Sequence, residues 1–135
     1  MTGGYTGAMN EAALRPYREY HARRERSLRE ERESLRLRVL EQARRAVRRI
    51  APEFPALRTV YLFGSILVPG HFHPGSDVDL AVDCDDVEAE APFARALEEA
   101  VSRDVDLRPR VGAVARAVEV SGELCYERKV PDPGT

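Results

Sequence analysis

Lysine is nearly absent from this chain of 135 residues, with Lys129 the only one, and cysteine occurs twice, at Cys84 and Cys125. The two cysteines form no metal-type spacing, and free, reduced thiols are expected. No apolar run is long enough to span a bilayer, and no secretory pattern opens the chain. A soluble, cytoplasmic protein without a membrane partner is therefore expected. The net charge is −2, which gives no global push toward nucleic acid, so nucleic acid is not expected as a partner. There is no Walker-type phosphate loop, no dinucleotide-binding glycine pattern and no Ser-His-Asp nucleophile set. No internal repeat is found. The length suits one domain with an ordinary core.

The informative stretch runs from Val60 to Asp83, VYLFGSILVPGHFHPGSDVDLAVD. Thr59 to Phe63 are β-branched, aromatic or aliphatic and read as a buried strand. Gly64 ends it and Ser65 follows; a Gly-Ser turn brings backbone close to an anionic ligand. Asp77 to Asp83 alternates as a second strand. Val78, Leu80 and Val82 face the core, while Asp77 and Asp79 stand on the opposite face. Neighbouring carboxylates repel unless a cation or proton sits between them. Mg²⁺ suits such a pair where phosphates are handled. The competing reading is a solvated face with scattered acids, but it leaves the preceding Gly-Ser turn unexplained.

Gly64-Ser65 followed by Asp77-x-Asp79 resembles the signature of the DNA polymerase β-like nucleotidyltransferases, and in size the minimal nucleotidyltransferase branch. The resemblance covers Leu57 to Lys129 and leaves the N-terminal third unmatched. It implies that Gly64 and Ser65 hold the triphosphate, and that Asp77, Asp79 and a third acid are catalytic and bind divalent metal, Mg²⁺ or Mn²⁺. Asp106, between Val105 and Leu107, is preferred for that third acid over Asp104, which falls on the same face. Ser76 is added as a nucleotide-binding residue that also orients the turn into the acidic strand. Two departures stand out. The spacer Ile66 to Ser76 is longer than usual, and Ile66-Leu67-Val68-Pro69 occupies a position where the family often has a basic residue.

The rest of the chain is read around that centre. Residues 1–9 are taken as a flexible, glycine-containing tail, and residues 10–51 as a charged helical arm capped by Asn10, with Pro16 starting or kinking it. Arg and Glu at helical spacing, such as Glu25 with Arg29, support this arm by about 0.2–0.5 kcal/mol per pair. Leu14, His21, Leu28 and Leu35 recur every seven residues without a complete apolar seam. Self-association, docking on a partner and a solvated helix all remain open for it. Toward its end Leu35, Val39, Ala43, Ala46, Val47 and Ile50 follow the spacing of a buried stripe. Residues 57–129 make the nucleotidyltransferase domain, and residues 130–135 a tail. Within the domain a helix is expected at Ala91 to Val101, a strand at Asp104 to Arg108, a helix at Val111 to Val120 capped by Gly122, and a strand at Leu124 to Tyr126. His71 and His73 read as exposed loop residues sooner than metal ligands.

The expected fold is α+β: a small mixed sheet with helices packed on one face, in the nucleotidyltransferase pattern, preceded by a long helix. The resemblance implies transfer of a nucleoside monophosphate, with ATP as donor, to a hydroxyl of an acceptor. In the minimal branch the partner is a HEPN-type protein, the toxin of a toxin–antitoxin pair. The alternatives are a catalytically impaired binding module of the same fold and a small-molecule nucleotidyltransferase. A homo-oligomer through the arm is a further expectation.

Overall fold

The computed structural model describes residues 6–130, with side chains from residue 12 onward. The remaining parts of the two expected tails lie outside the described residues. A single helix, α1, runs Thr6–Ile50. It begins ahead of Asn10, which therefore lies inside the helix and does not cap it. Ala8 and Met9 are good helix formers, and the helix takes in residues 6–9, which their neighbouring glycines had assigned to the tail. Pro16 sits within the helix without ending it. Its missing N–H leaves the carbonyl of Ala12 to water, and both residues are exposed.

Side chains 12–32 are all exposed. From Leu35 onward α1 becomes part of the core: Val39, Leu40, Ala43, Ala46, Val47 and Ile50 are buried. A short 3-10 turn over Ala51–Glu53 ends the helix at Pro52.

Strands β1 (Leu57–Phe63), β2 (Val78–Cys84), β3 (Val105–Pro109) and β4 (Glu123–Glu127) form one mixed sheet in the order β3-β2-β1-β4. β1 pairs antiparallel with β2 and β4, and β2 pairs parallel with β3. A parallel pair needs a crossover, and helix α2 (Glu90–Val101) supplies it. Asp86 accepts from the Glu88 N–H at 3.0 Å and caps the 3-10 turn that leads into α2. Ser102, with φ of 51°, turns the chain out of the helix.

One face of the sheet, carrying Val60, Leu62, Val78, Leu80 and Val82, packs on α1 and on Phe93, Leu97 and Val101 of α2. Helix α3 (Gly112–Ser121) lies against β1 and β2, and its buried Val118 stands apart from that core, as does Ala81. Gly122 closes α3 in extended backbone, so no left-handed cap is involved. Glycine is needed there for space: a Cβ would stand 2.7 Å from the Val118 carbonyl oxygen. Cys84 and Cys125 are free.

Candidate active site

The acidic face is assembled by strand register. Asp79 on β2 is paired with Phe63, the last residue of β1, and with Asp106 on β3. The adjacent parallel strands thus place the Asp79 and Asp106 carboxyls side by side. Asp106 keeps its side chain about a third exposed, turned away from the core. Burial raises the Asp79 pKa above the ordinary carboxylate value, and the negative charges of Asp106 and then Asp77 raise it further. Arg108 works in the opposite direction.

Phe63 leads straight into Gly64, which has φ of +82° and begins a 3-10 turn over Gly64–Leu67. An ideal Cβ at Gly64 would lie 2.5 Å from Asp79 Oδ2. Glycine is required here twice, for the left-handed backbone and for the approach of the carboxylate. The Gly-Ser turn and the acidic pair are therefore one construction: the turn's backbone rests against the carboxylate.

Asp77 precedes β2 by one residue, is exposed, and lines a shallow recess with Ser76, Arg103 and Asp104. Asp104 falls outside β3; its carbonyl accepts the Val78 N–H at 3.0 Å. The register thus gives Asp106, and not Asp104, as the neighbour of Asp79. Ser76 Oγ accepts the His73 N–H at 2.9 Å, so this hydroxyl oxygen serves the loop turn. His71 and His73 are exposed, whereas Phe72 between them is buried and anchors the loop.

Three arginines around this site leave little trace in the sequence. Arg36 of α1, 7% exposed, donates from Nη1 to the Ile66 carbonyl at 2.9 Å and from Nε and Nη2 to Glu33 at 2.9 and 2.6 Å. It fastens the long helix to the Gly-Ser turn. Arg103 lies over the Phe72 ring and donates to the Pro74 and Ser76 carbonyls at 2.7 and 2.8 Å, holding the loop that feeds Asp77. Arg110 binds Asp83 at 2.8 Å and stacks on Tyr61. Burial alone would raise the Asp83 pKa, but the Thr59 hydroxyl and Arg110 outweigh it and hold the carboxyl below its usual range.

Among the described residues no three His, Cys, Asp or Glu side chains close on a common point as a ready metal cage. Mg²⁺ does not need one: it takes one or two carboxylates and completes its shell with water and substrate phosphate. The Asp79–Asp106 pair, with a glycine turn pressed against it, fits that hard-cation chemistry.

Residues 45–129 match the family described as polymerase beta, nucleotidyltransferase. No curated protein matches the chain. Among solved structures, one described as a toxin–antitoxin with AMP-PNP has 29% identity and a TM-score of 0.53, covering 64% of this chain and 74% of that one. A second, a variant of the toxin–antitoxin MntA–HpeT, has 27% identity and a TM-score of 0.53, with the same shares of each chain covered. No helix among the described residues is long and apolar enough to cross a membrane.

Proposed function

We propose a reaction for this chain from the premise that it belongs to the polymerase beta nucleotidyltransferase family: transfer of a nucleoside monophosphate, AMP from ATP, to a hydroxyl of a partner protein of the HEPN toxin type. The observation that carries this reading is the contact of the Gly64 turn with the Asp79 carboxylate, with Asp106 in register beside it. The turn's backbone would receive phosphate oxygens next to the carboxylates that would hold the ion. Asp79 and Asp106, with Asp77 near them, would carry Mg²⁺ or Mn²⁺. When bound, such an ion supplies Lewis-acid polarisation of the α-phosphate and charge neutralisation for departing pyrophosphate.

Gly64 and Ser65 would hold the β and γ phosphates. Asp106, partly exposed on the edge strand, would accept the proton of an incoming hydroxyl. The raised pKa of Asp79 reflects burial and like charge that a bound cation would relieve. Structural neighbours described as toxin–antitoxin pairs, one with AMP-PNP, support both the partner and the donor.

The test incubates the protein with α-labelled ATP, Mg²⁺ and a HEPN-type protein. Label should move to the acceptor and be lost with Asp79→Asn. A second reading, a non-catalytic nucleotide- or partner-binding module, draws on Ile66, which is buried where a basic residue would be useful to a phosphate. Nucleotide binding with no label transfer in the wild-type protein would decide for that module.

A further inference from the structure

The site carries more negative than positive charge, and the turn that would meet the phosphates offers no cation of its own: Ile66-Leu67-Val68-Pro69 are all uncharged. Of the arginines around the site, Arg36, Arg103 and Arg110 bind backbone carbonyls, Glu33 or Asp83. Arg108 differs. It lies two residues after Asp106 on the edge strand β3 and so shares its face. Its register partner is Ala81 on β2, which is fully buried. Arg108 Nε stands 3.2 and 3.1 Å from the two oxygens of Asp106, and Nη2 stands 3.1 Å from Oδ2. The Arg108 side chain is more than half exposed, with Asp106 as its hydrogen-bond partner.

Resting on the nucleotidyltransferase reading above, we propose that Arg108 is the site's exchangeable cation: it neutralises Asp106, yields that carboxylate to a divalent ion, and then binds the phosphates of the incoming nucleotide. A guanidinium fits phosphate as well as carboxylate, with paired N–H donors in one plane. A metal and Arg108 compete for the same two oxygens of Asp106. Metal alone and metal with nucleotide should therefore respond to loss of Arg108 with opposite signs, and Arg108→Lys, which keeps the charge but not the paired planar donors, separates phosphate binding by the guanidinium from the charge of an ion pair alone.

The experiment compares wild-type protein with Arg108→Gln and Arg108→Lys. Mn²⁺ binding is followed by electron paramagnetic resonance of the free ion, and Mg²⁺-AMP-PNP binding by calorimetry. Arg108→Gln should bind Mn²⁺ alone several-fold more tightly and Mg²⁺-AMP-PNP about tenfold more weakly. Arg108→Lys should fall between for the nucleotide. Shifts of the same sign, or no shift, in a wild-type background that binds both ligands overturn the role given to Arg108. A wild-type protein that binds neither ligand instead brings down the nucleotidyltransferase reading, and this role with it. Unchanged circular dichroism and melting temperature in both variants establish that the comparison is between folded proteins.

Discussion

Replacing Arg36 by Met tests how firmly the long helix holds the Gly-Ser turn. Arg36 is the one charged side chain buried among the described residues, and its Nη1 donates to the Ile66 carbonyl at 2.9 Å. Methionine matches its length but cannot donate. The carbonyl then stays buried without that partner, at a cost of about 1–3 kcal/mol. Glu33 is about a third exposed and regains water, so its loss is small. The added apolar contact of the methionine returns roughly 1 kcal/mol. The balance is a destabilisation of about 0–2 kcal/mol, centred near 1 kcal/mol, which at that centre lowers the melting temperature by about 3–5 °C for a domain of this size. Thermal unfolding followed by circular dichroism measures it. The turn should also loosen, raising KM for Mg²⁺-ATP about tenfold with a smaller change in kcat. Melting within a degree of wild type, with KM unchanged, would refute the reasoning that this guanidinium positions the turn.

Gly64→Ala should be more damaging to activity than to folding. Its left-handed backbone costs about 1–2 kcal/mol with a side chain, and the methyl drives the Asp79 carboxylate aside. Label transfer should fall about 100-fold while the protein remains folded; transfer at the wild-type rate would show that the turn and Asp79 do not act together. Asp79→Asn should lose transfer yet gain stability in metal-free buffer. The folded-state pKa of Asp79 is raised, so the native protein binds this proton more tightly than the unfolded chain does. Wild-type stability therefore falls as pH climbs from the unfolded carboxylate value through the folded one. The Asn variant lacks this penalty, so its melting temperature should exceed that of wild type at pH 7, and the difference should shrink as the pH is lowered through that window. A lower melting temperature for the variant at pH 7 counts against the repulsion between Asp79, Asp106 and Asp77.

The paired strands around the Gly-Ser turn were legible because β-branched runs, a glycine stop and period-two acids are local signals. So was the end of α1, where the apolar stripe is continuous. Asp104 and Asp106 lie on one face by periodicity; the register of β2 against β3 is what puts Asp106 beside Asp79, and register is set by packing over a crossover helix. Asp77 belonged by alternation to the strand, but β2 starts one residue later, after a loop that Arg103 holds. Arg36 and Arg103 escaped notice for a related reason. Their partners are backbone carbonyls of Ile66, Pro74 and Ser76, distant in sequence, and a carbonyl has no signature in a sequence. In a chain with so many arginines, those with a fixed geometric duty look like those on a solvated helix. Gly122 is the helix cap that its place in the sequence suggests, but glycine is needed there to let backbone pass close to Val118, a requirement no local pattern shows.

Residues 12–32 of α1 extend about 30 Å as a bare rod, at about 1.5 Å per residue. A rod on a small body drags through solvent far more than its mass warrants. The particle should diffuse slowly, tumble anisotropically and leave a sizing column early, at the position of a larger sphere. Column elution alone would therefore mistake one copy for two, and light scattering or sedimentation equilibrium, which weigh the particle and ignore its outline, are the measurements from which its assembly should be judged.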